Sequence, residues 1–204
     1  MESISYFEKI AKIAEYNYGE TNVNYLSHFK DLIERQIHYN SVPLKDQLAN
    51  TTRLTALGNK LFSDKASEIQ KVPLLELHCW SLQRNGLIRD AIQTQEEIIA
   101  IYSRATTVQA VSEASPPSGV TKPSEAQALT RSGLRPDMFL ASHLQNLVNY
   151  CLEAGEKEKA VKAFDECNEI ISLIKDPANQ QVMDSLKQMR PQVEAIRLQI
   201  TKDA

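Results

Sequence analysis

Residues 73–102 read PLLELHCWSLQRNGLIRDAIQTQEEIIAIY, and this stretch decides the fold. Pro73 lacks the backbone N–H that a first helical turn leaves unpaired anyway, so it suits the start of a helix. Leu74, Leu75, Leu77, His78 and Leu82 follow as that helix's apolar side, and Asn85-Gly86 marks its stop. A second apolar series, Ala91, Ile92, Gln95, Ile98, Ile99 and Tyr102, begins almost at once. Two helices joined by so short a turn must lie antiparallel and bury their stripes against each other.

Upstream, the same spacing recurs. Ser5 and Glu8 form a capping-box pattern, and Phe7, Ile10, Ala11 and Ala14 share one face of a helix expected to stop near Asn17-Tyr18-Gly19. Leu26, Phe29, Ile33 and Ile37 mark a second helix from about Asn22 to the Asn40-Ser41-Val42-Pro43 break. A third runs from Leu44 to about Phe62 with Leu48, Leu54, Leu57 and Leu61 inward. Its Gly58 interrupts a good helix former's position, at up to ~1 kcal/mol relative to alanine, and so predicts the close approach of a neighbouring helix.

Downstream the character changes. Thr106 to Pro136 contains Pro116, Pro117, Pro123 and Pro136 among Ser, Thr and Ala, and is read as a linker or long loop. Asp137 is then expected to cap a helix bearing Phe139, Leu140, Leu144, Leu147, Val148 and Cys151, stopped at Gly155. Glu156-Lys157-Glu158-Lys159 opens a further helix with Ala160, Val161, Phe164, Cys167, Ile171 and Ile174, ended at Asp176-Pro177. Last, Val182, Leu186, Met189, Val193, Ile196 and Ile200 alternate in steps of four and three, the seam of a helix that packs along another helix, interrupted by Pro191. The expected fold is therefore all-α, an antiparallel helical bundle of about seven to eight helices. Residues 1–105 form its main body, 106–136 its proline-rich loop, and 137–204 a closing hairpin with a terminal helix.

Composition narrows the function. With 204 residues, 42% hydrophobic and 24% charged, the chain can bury a core without staples. Cys79, Cys151 and Cys167 make an odd count with no metal-type spacing, as in a reducing compartment. The start lacks the pattern of a signal or transit peptide, and no run of apolar residues reaches membrane-spanning length. A cytoplasmic address, with the nucleus as the alternative, is expected. The net charge of −3 argues against a broad surface for phosphate backbones.

Two resemblances adjust this reading. Gly86 followed by Ala91, and Gly155 followed by Ala160, place alanine five residues after a turn glycine in both stretches. This is similar to the tetratricopeptide hairpin, whose pattern adds an aromatic four residues later. Phe164 supplies it in the second copy, whereas Gln95 stands there in the first. Separately, Phe29 to Arg35, then Lys45, Leu48, Arg53-Leu54, Leu57, Lys60-Leu61 and the proline-started helix to Arg84-Asn85 resemble the carboxy-terminal helical domain of the outer COPII coat subunit. The same domain type occurs in the steroid receptor RNA activator protein. That likeness spans about Asn24 to Tyr102 and implies a compact interaction domain, without the coat's propeller and solenoid regions.

Signatures of catalysis are missing: there is no Gly-rich phosphate loop, nucleophile elbow or His-Glu-x-x-His pair. Glu34 and His38 share a helix face, but a bundle metal site needs ligands from further helices. His78, Cys79 and Trp80 adjoin without a second ligand set, and Cys151 with Cys167 reads as two core thiols. No catalytic residue, cofactor or metal is expected. The chain is read as a noncatalytic protein-interaction module, an adaptor or subunit of a larger assembly. Its candidate partner-binding residues are Trp80, if exposed, and the terminal seam of Val182, Leu186, Met189, Val193, Ile196 and Ile200. The alternatives are a tetratricopeptide-like adaptor and a ribonucleoprotein subunit or coregulator. The last would need Arg53, Lys60, Arg84 and Arg89 to converge on one face. Ser115-Pro116, in the loop, is a phosphoacceptor context.

Overall fold

The computed structural model describes residues 2–64, 67–113, 136–173 and 180–203. Among them there are eight α-helices and no strand. The helices are α1 (Glu2–Tyr18), α2 (Val23–His38), α3 (Leu44–Leu61), α4 (Val72–Arg84), α5 (Ile88–Glu113), α6 (Pro136–Ala154), α7 (Lys157–Leu173) and α8 (Gln180–Asp203), with a 3-10 turn at Glu68–Lys71 before α4. The chain divides into two compact units, Met1–Thr94 and Gln95–Ala204, and the division falls within α5.

Helix ends follow local chemistry. Asn22 caps α2, its side chain accepting from the Asn24 amide at 2.9 Å, and Pro73 sits in the first turn of α4. After α2, α4 and α6 the chain turns through Asn40, Gly86 and Gly155, with φ of 48°, 73° and 74°. In each case that residue's N–H bonds to the carbonyl three residues back, and the next N–H bonds to the carbonyl five back. The longer bonds are Ser41 to Gln36 at 3.0 Å, Leu87 to Leu82 at 3.0 Å and Glu156 to Cys151 at 2.8 Å. This pairing satisfies carbonyls that a helix end leaves bare and reverses the chain within a few residues.

In the first unit α1 packs on α2, α2 on α3 and α3 on α4. Ala11 and Ala14 of α1 let α2 approach, and Tyr25, Phe29, Ile33, Leu54, Leu57 and Leu74 fill the centre. Tyr25 and Phe29 stack with centroids 5.6 Å apart, and the Arg53 guanidinium lies 5.1 Å from the Phe29 ring while pairing with Glu20 at 2.6 Å and Glu15 at 3.5 Å. Gly58 is buried at the α3–α4 contact, where a Cβ would collide with the Leu74 side chain. The close approach expected from its position is thus made by α4.

In the second unit α6 packs on α7, and α8 lies against both. Leu144, Val148 and Cys151 of α6 meet a core that includes Ala160, Phe164 and Cys167 of α7. Gln145 donates to Ser185 at 2.7 Å, and Arg197 pairs with Asp165 at 2.6 Å, so α8 is fastened to each. Gln95, out of pattern for an aromatic position, is 2% exposed. Its amide nitrogen donates to the His143 carbonyl at 3.0 Å and lies 2.8 Å from His143 Nδ1. His143 in turn stacks on Tyr102, and Tyr102 on Phe139, at 5.2 and 5.7 Å between centroids.

The all-α expectation holds, with differences at the edges. α5 runs through Glu113, past the expected boundary at Thr106, and the sequence there contains neither Gly nor Pro before Pro116. α6 starts at Pro136, so Asp137 is inside the helix and not its cap. α8 continues through Pro191. A proline inside a helix removes one backbone bond and costs about 3 kcal/mol, but Pro191 is exposed while Met189 and Val193 on either side are buried, and their packing offsets it. The expected stop at Asp176-Pro177 and the Ser115-Pro116 context lie outside the described residues.

Gly58 offers a direct check on the first unit. Gly58→Val is expected to lower unfolding stability by roughly 1–3 kcal/mol, because the branched side chain must displace buried Leu74. Urea denaturation followed through Trp80, the one tryptophan, measures it.

Candidate protein-interaction site

Trp80 and Arg84 stand one turn apart on α4, so their side chains share a face. The Arg84 guanidinium carbon lies 4.7 Å from the centroid of the Trp80 ring, a cation–π contact. Arg84 also donates to Gln47 Oε1 and to Asn40 Oδ1, each at 3.2 Å. Gln47 is itself buried, and its amide nitrogen donates to the Val42 carbonyl at 2.8 Å and to Asn40 Oδ1 at 3.1 Å. Asn85 completes the arrangement by donating to the Leu44 carbonyl at 3.1 Å and to the Ser81 carbonyl at 2.8 Å. The turn after α2, the start of α3 and the end of α4 are thus tied into one polar clasp.

Four large apolar side chains on the same segments are exposed. Trp80 remains 40% exposed, and Tyr39, Leu44 and Leu87 are exposed too. Of these, only Trp80 was singled out by sequence. The others look like ordinary turn or helix-start residues, and Arg84 reaches Asn40 across 44 positions, a pairing no local pattern records.

The terminal seam is divided. Leu186, Met189 and Val193 are buried in the second unit, while Val182, Ile196 and Ile200 are half-buried and Leu198 is exposed. Arg53 and Arg84 do not add to one another as a basic face, since Arg53 lies on Glu20 and Glu15 whereas Arg84 lies on neutral amides.

Groups with chemical potential are held down by burial. Burial pushes the Cys151 thiol up to about 11 and the Cys167 thiol up to about 12, so both stay protonated. Cys167 Sγ lies 3.2 Å from the Ala141 carbonyl and Cys79 Sγ lies 3.4 Å from that of Ala91. Burial also lowers the pKa of His78, with Asp90 pulling the other way; its Nδ1 is 3.1 Å from the Thr51 hydroxyl. Glu34 pairs with Lys30 at 2.7 Å, and His38 sits edge-on to Tyr39. Among the described residues no group of three or more His, Cys, Asp or Glu side chains is placed to hold a metal ion, and no helix is long and apolar enough to cross a membrane.

Two outcomes follow from this burial. Because folded His78 resists a proton that the unfolded chain accepts near its ordinary value of 6.5, stability is expected to fall as pH drops through that value. Denaturation midpoints at about pH 7.5 and about pH 5.5 should differ less in His78→Gln than in the parent. A thiol reagent is expected to titrate all three cysteines after unfolding but to reach Cys151 and Cys167 in the native chain only as slowly as the protein opens.

No family model matches the chain, and no curated protein sequence matches it. Solved structures do share its fold. One is a crystal structure of the nearly identical TPR-like repeats of a protein described as a kinesin light chain from Podosopora anserina. It aligns at a TM-score of 0.65 with 12% identity, over 98% of this chain and 87% of that one. A point variant of the same repeats aligns at 0.65 with 11% identity, over 98% and 88%. At such identities the likeness is one of fold. It agrees with the tetratricopeptide-like reading of the two glycine-turn hairpins.

Proposed function

We propose that the chain is a noncatalytic helical-repeat module that binds protein partners, as an adaptor or a subunit of a larger assembly. The observation that carries this is Trp80, half exposed and locked against Arg84 on a repeat-type helical scaffold. Tryptophan and arginine dominate the energetics of protein interfaces, and a side chain already fixed in place loses little freedom on binding. The titratable groups displaced furthest, Cys151 and Cys167, are moved by burial, which makes them inert instead of poised for reaction.

Helical repeats suit such work because stacked hairpins present continuous surfaces whose shape does not depend on any reactive residue. The part of the terminal seam open to a partner is Val182, Ile196 and Ile200, since Leu186, Met189 and Val193 serve the second unit's own core. A ribonucleoprotein subunit or transcriptional coregulator, which the resemblance from Asn24 to Tyr102 would permit, is the second reading. Its basic face is weakened by the engagement of Arg53 with two carboxylates.

Affinity capture with the full chain and with Trp80→Ala tests the proposal. The variant is expected to lose partner binding by about 2 kcal/mol, roughly thirtyfold, with a stability change within about 1 kcal/mol. Identical partners on both proteins, or turnover of a small molecule by homogeneous protein, would overturn it.

A further inference from the structure

Two guanidinium groups among the described residues are neutralised by carboxylates, whereas Arg84, like Arg35 on the Phe7 ring, is not. Arg53 meets Glu20 and Glu15, and Arg197 meets Asp165 and Glu194. Arg84 meets only the neutral amide oxygens of Gln47 and Asn40 and the face of Trp80, and no carboxylate pairs with it among the described residues. Its positive charge is therefore positioned but not neutralised. The two amide bonds leave further N–H donors of the fork unused.

The setting adds direction. Lys45 beside Leu44 and Arg89 beyond Leu87 are exposed, but each is followed by an exposed aspartate, Asp46 and Asp90, so Arg84 is the cation near Leu44, Trp80 and Leu87 whose chain neighbours carry no opposite charge. A wholly apolar segment would cover Arg84 and strip its charge of water without a partner, which is costly.

We infer that this turn-end surface takes a segment of a protein partner in which a side-chain carboxylate neighbours a large apolar residue. The inference rests on the adaptor reading. The carboxylate takes the remaining donors of Arg84 in a charge-assisted, fork-shaped pairing, and the apolar side chain lies against Trp80 between Leu44 and Leu87. Gln47 and Asn40 act as positioning residues: they hold the guanidinium at the surface instead of letting it swing into solvent. The charge pairing at Arg84 makes binding sensitive to salt.

The test uses the full chain on an array of short peptides of varied sequence, with Trp80 emission as the reporter of the site. Retained peptides are expected to be enriched in Glu or Asp next to Leu, Ile, Phe or Trp, and a glutamate-containing peptide should shift Trp80 emission while its glutamine counterpart does not. Arg84→Gln should weaken retention at least about tenfold. Arg84→Lys, which keeps the charge but not the planar fork, should recover only part of it. Should Arg84→Gln unfold, the parent chain still decides: retention of the glutamate-containing peptide should fall at high salt toward that of its glutamine counterpart, and retention indifferent to salt would overturn the inference. Peptides retained without acidic enrichment, retention equal in Arg84→Gln, or equal retention of a single-stranded RNA oligonucleotide would each overturn the inference. If captured partners depend on Trp80 but not on Arg84, the adaptor reading stands and this one falls. Partners indifferent to both remove the reading beneath it.

Discussion

The left-handed residue that ends a helix governs this protein. At Asn40, Gly86 and Gly155 the backbone leaves the helical path with positive φ, and two amides bond back to carbonyls that would otherwise be bare. After Asn40 and Gly155 the reversal lays the following helix alongside its predecessor, α3 on α2 and α7 on α6. Apolar stripes then meet because the chain has brought them together, and burial of those stripes supplies the stabilisation that helix propensity alone does not. Glycine at Gly86 and Gly155 is required by conformation and not by space, since a Cβ there would meet nothing within 4 Å. Gly58 is the opposite case: its backbone is ordinary helix, and the demand comes from Leu74 of the neighbouring helix. One residue type thus serves two separate constraints, turning and packing.

Once helices are packed in this way, polar residues caught between them must find partners. Gln95 does so with His143, and Gln47 with Val42 and Asn40. These bonds add specificity more than strength, since each replaces a bond to water and contributes about 1 kcal/mol. Their consequence at the clasp is mechanical. Gln47, buried and fixed, holds Arg84, and Arg84 covers part of one face of Trp80 while the rest stays open. The Trp80 ring thus rests against a guanidinium held by a chain of contacts that begins in the core.

Much of this organisation is legible in sequence, and the reasons for the limits are physical. Helix ends could be read because Gly, Asn and Pro act locally; the stop at Asn85-Gly86 and the start at Pro73 depend on nothing distant. The inward faces could be read because spacing fixes which residues share a side. Spacing does not say what covers that side. The terminal seam looks uniform in sequence, yet Leu186, Met189 and Val193 are buried and Val182, Ile196 and Ile200 only half so, because α6 and α7 reach part of the stripe. Proline at position 191 argues locally for a break, and tertiary packing overrides it. Gln95 reads as a fault in a tetratricopeptide pattern until His143, 48 positions away, accounts for it. Trp80 could be named as a candidate from its type and its place off the main stripe, and Arg84 only as one of four scattered cations; its association with Gln47 and Asn40 exists only once α2, α3 and α4 have packed.

The same distinction bears on charge. A net charge of −3 describes the chain as a whole, and it argues against a broad basic surface. It is silent about whether any one cation is neutralised where it stands. Arg53 and Arg84 contribute equally to the sum, but the first lies between two carboxylates and the second between two amides. At the surface, with a Debye length of about 8 Å under physiological salt, a partner senses the nearest groups and little beyond them. Which cations stand without an opposite charge therefore depends less on composition than on local packing, and in the first unit the guanidinium beside Trp80 is such a group.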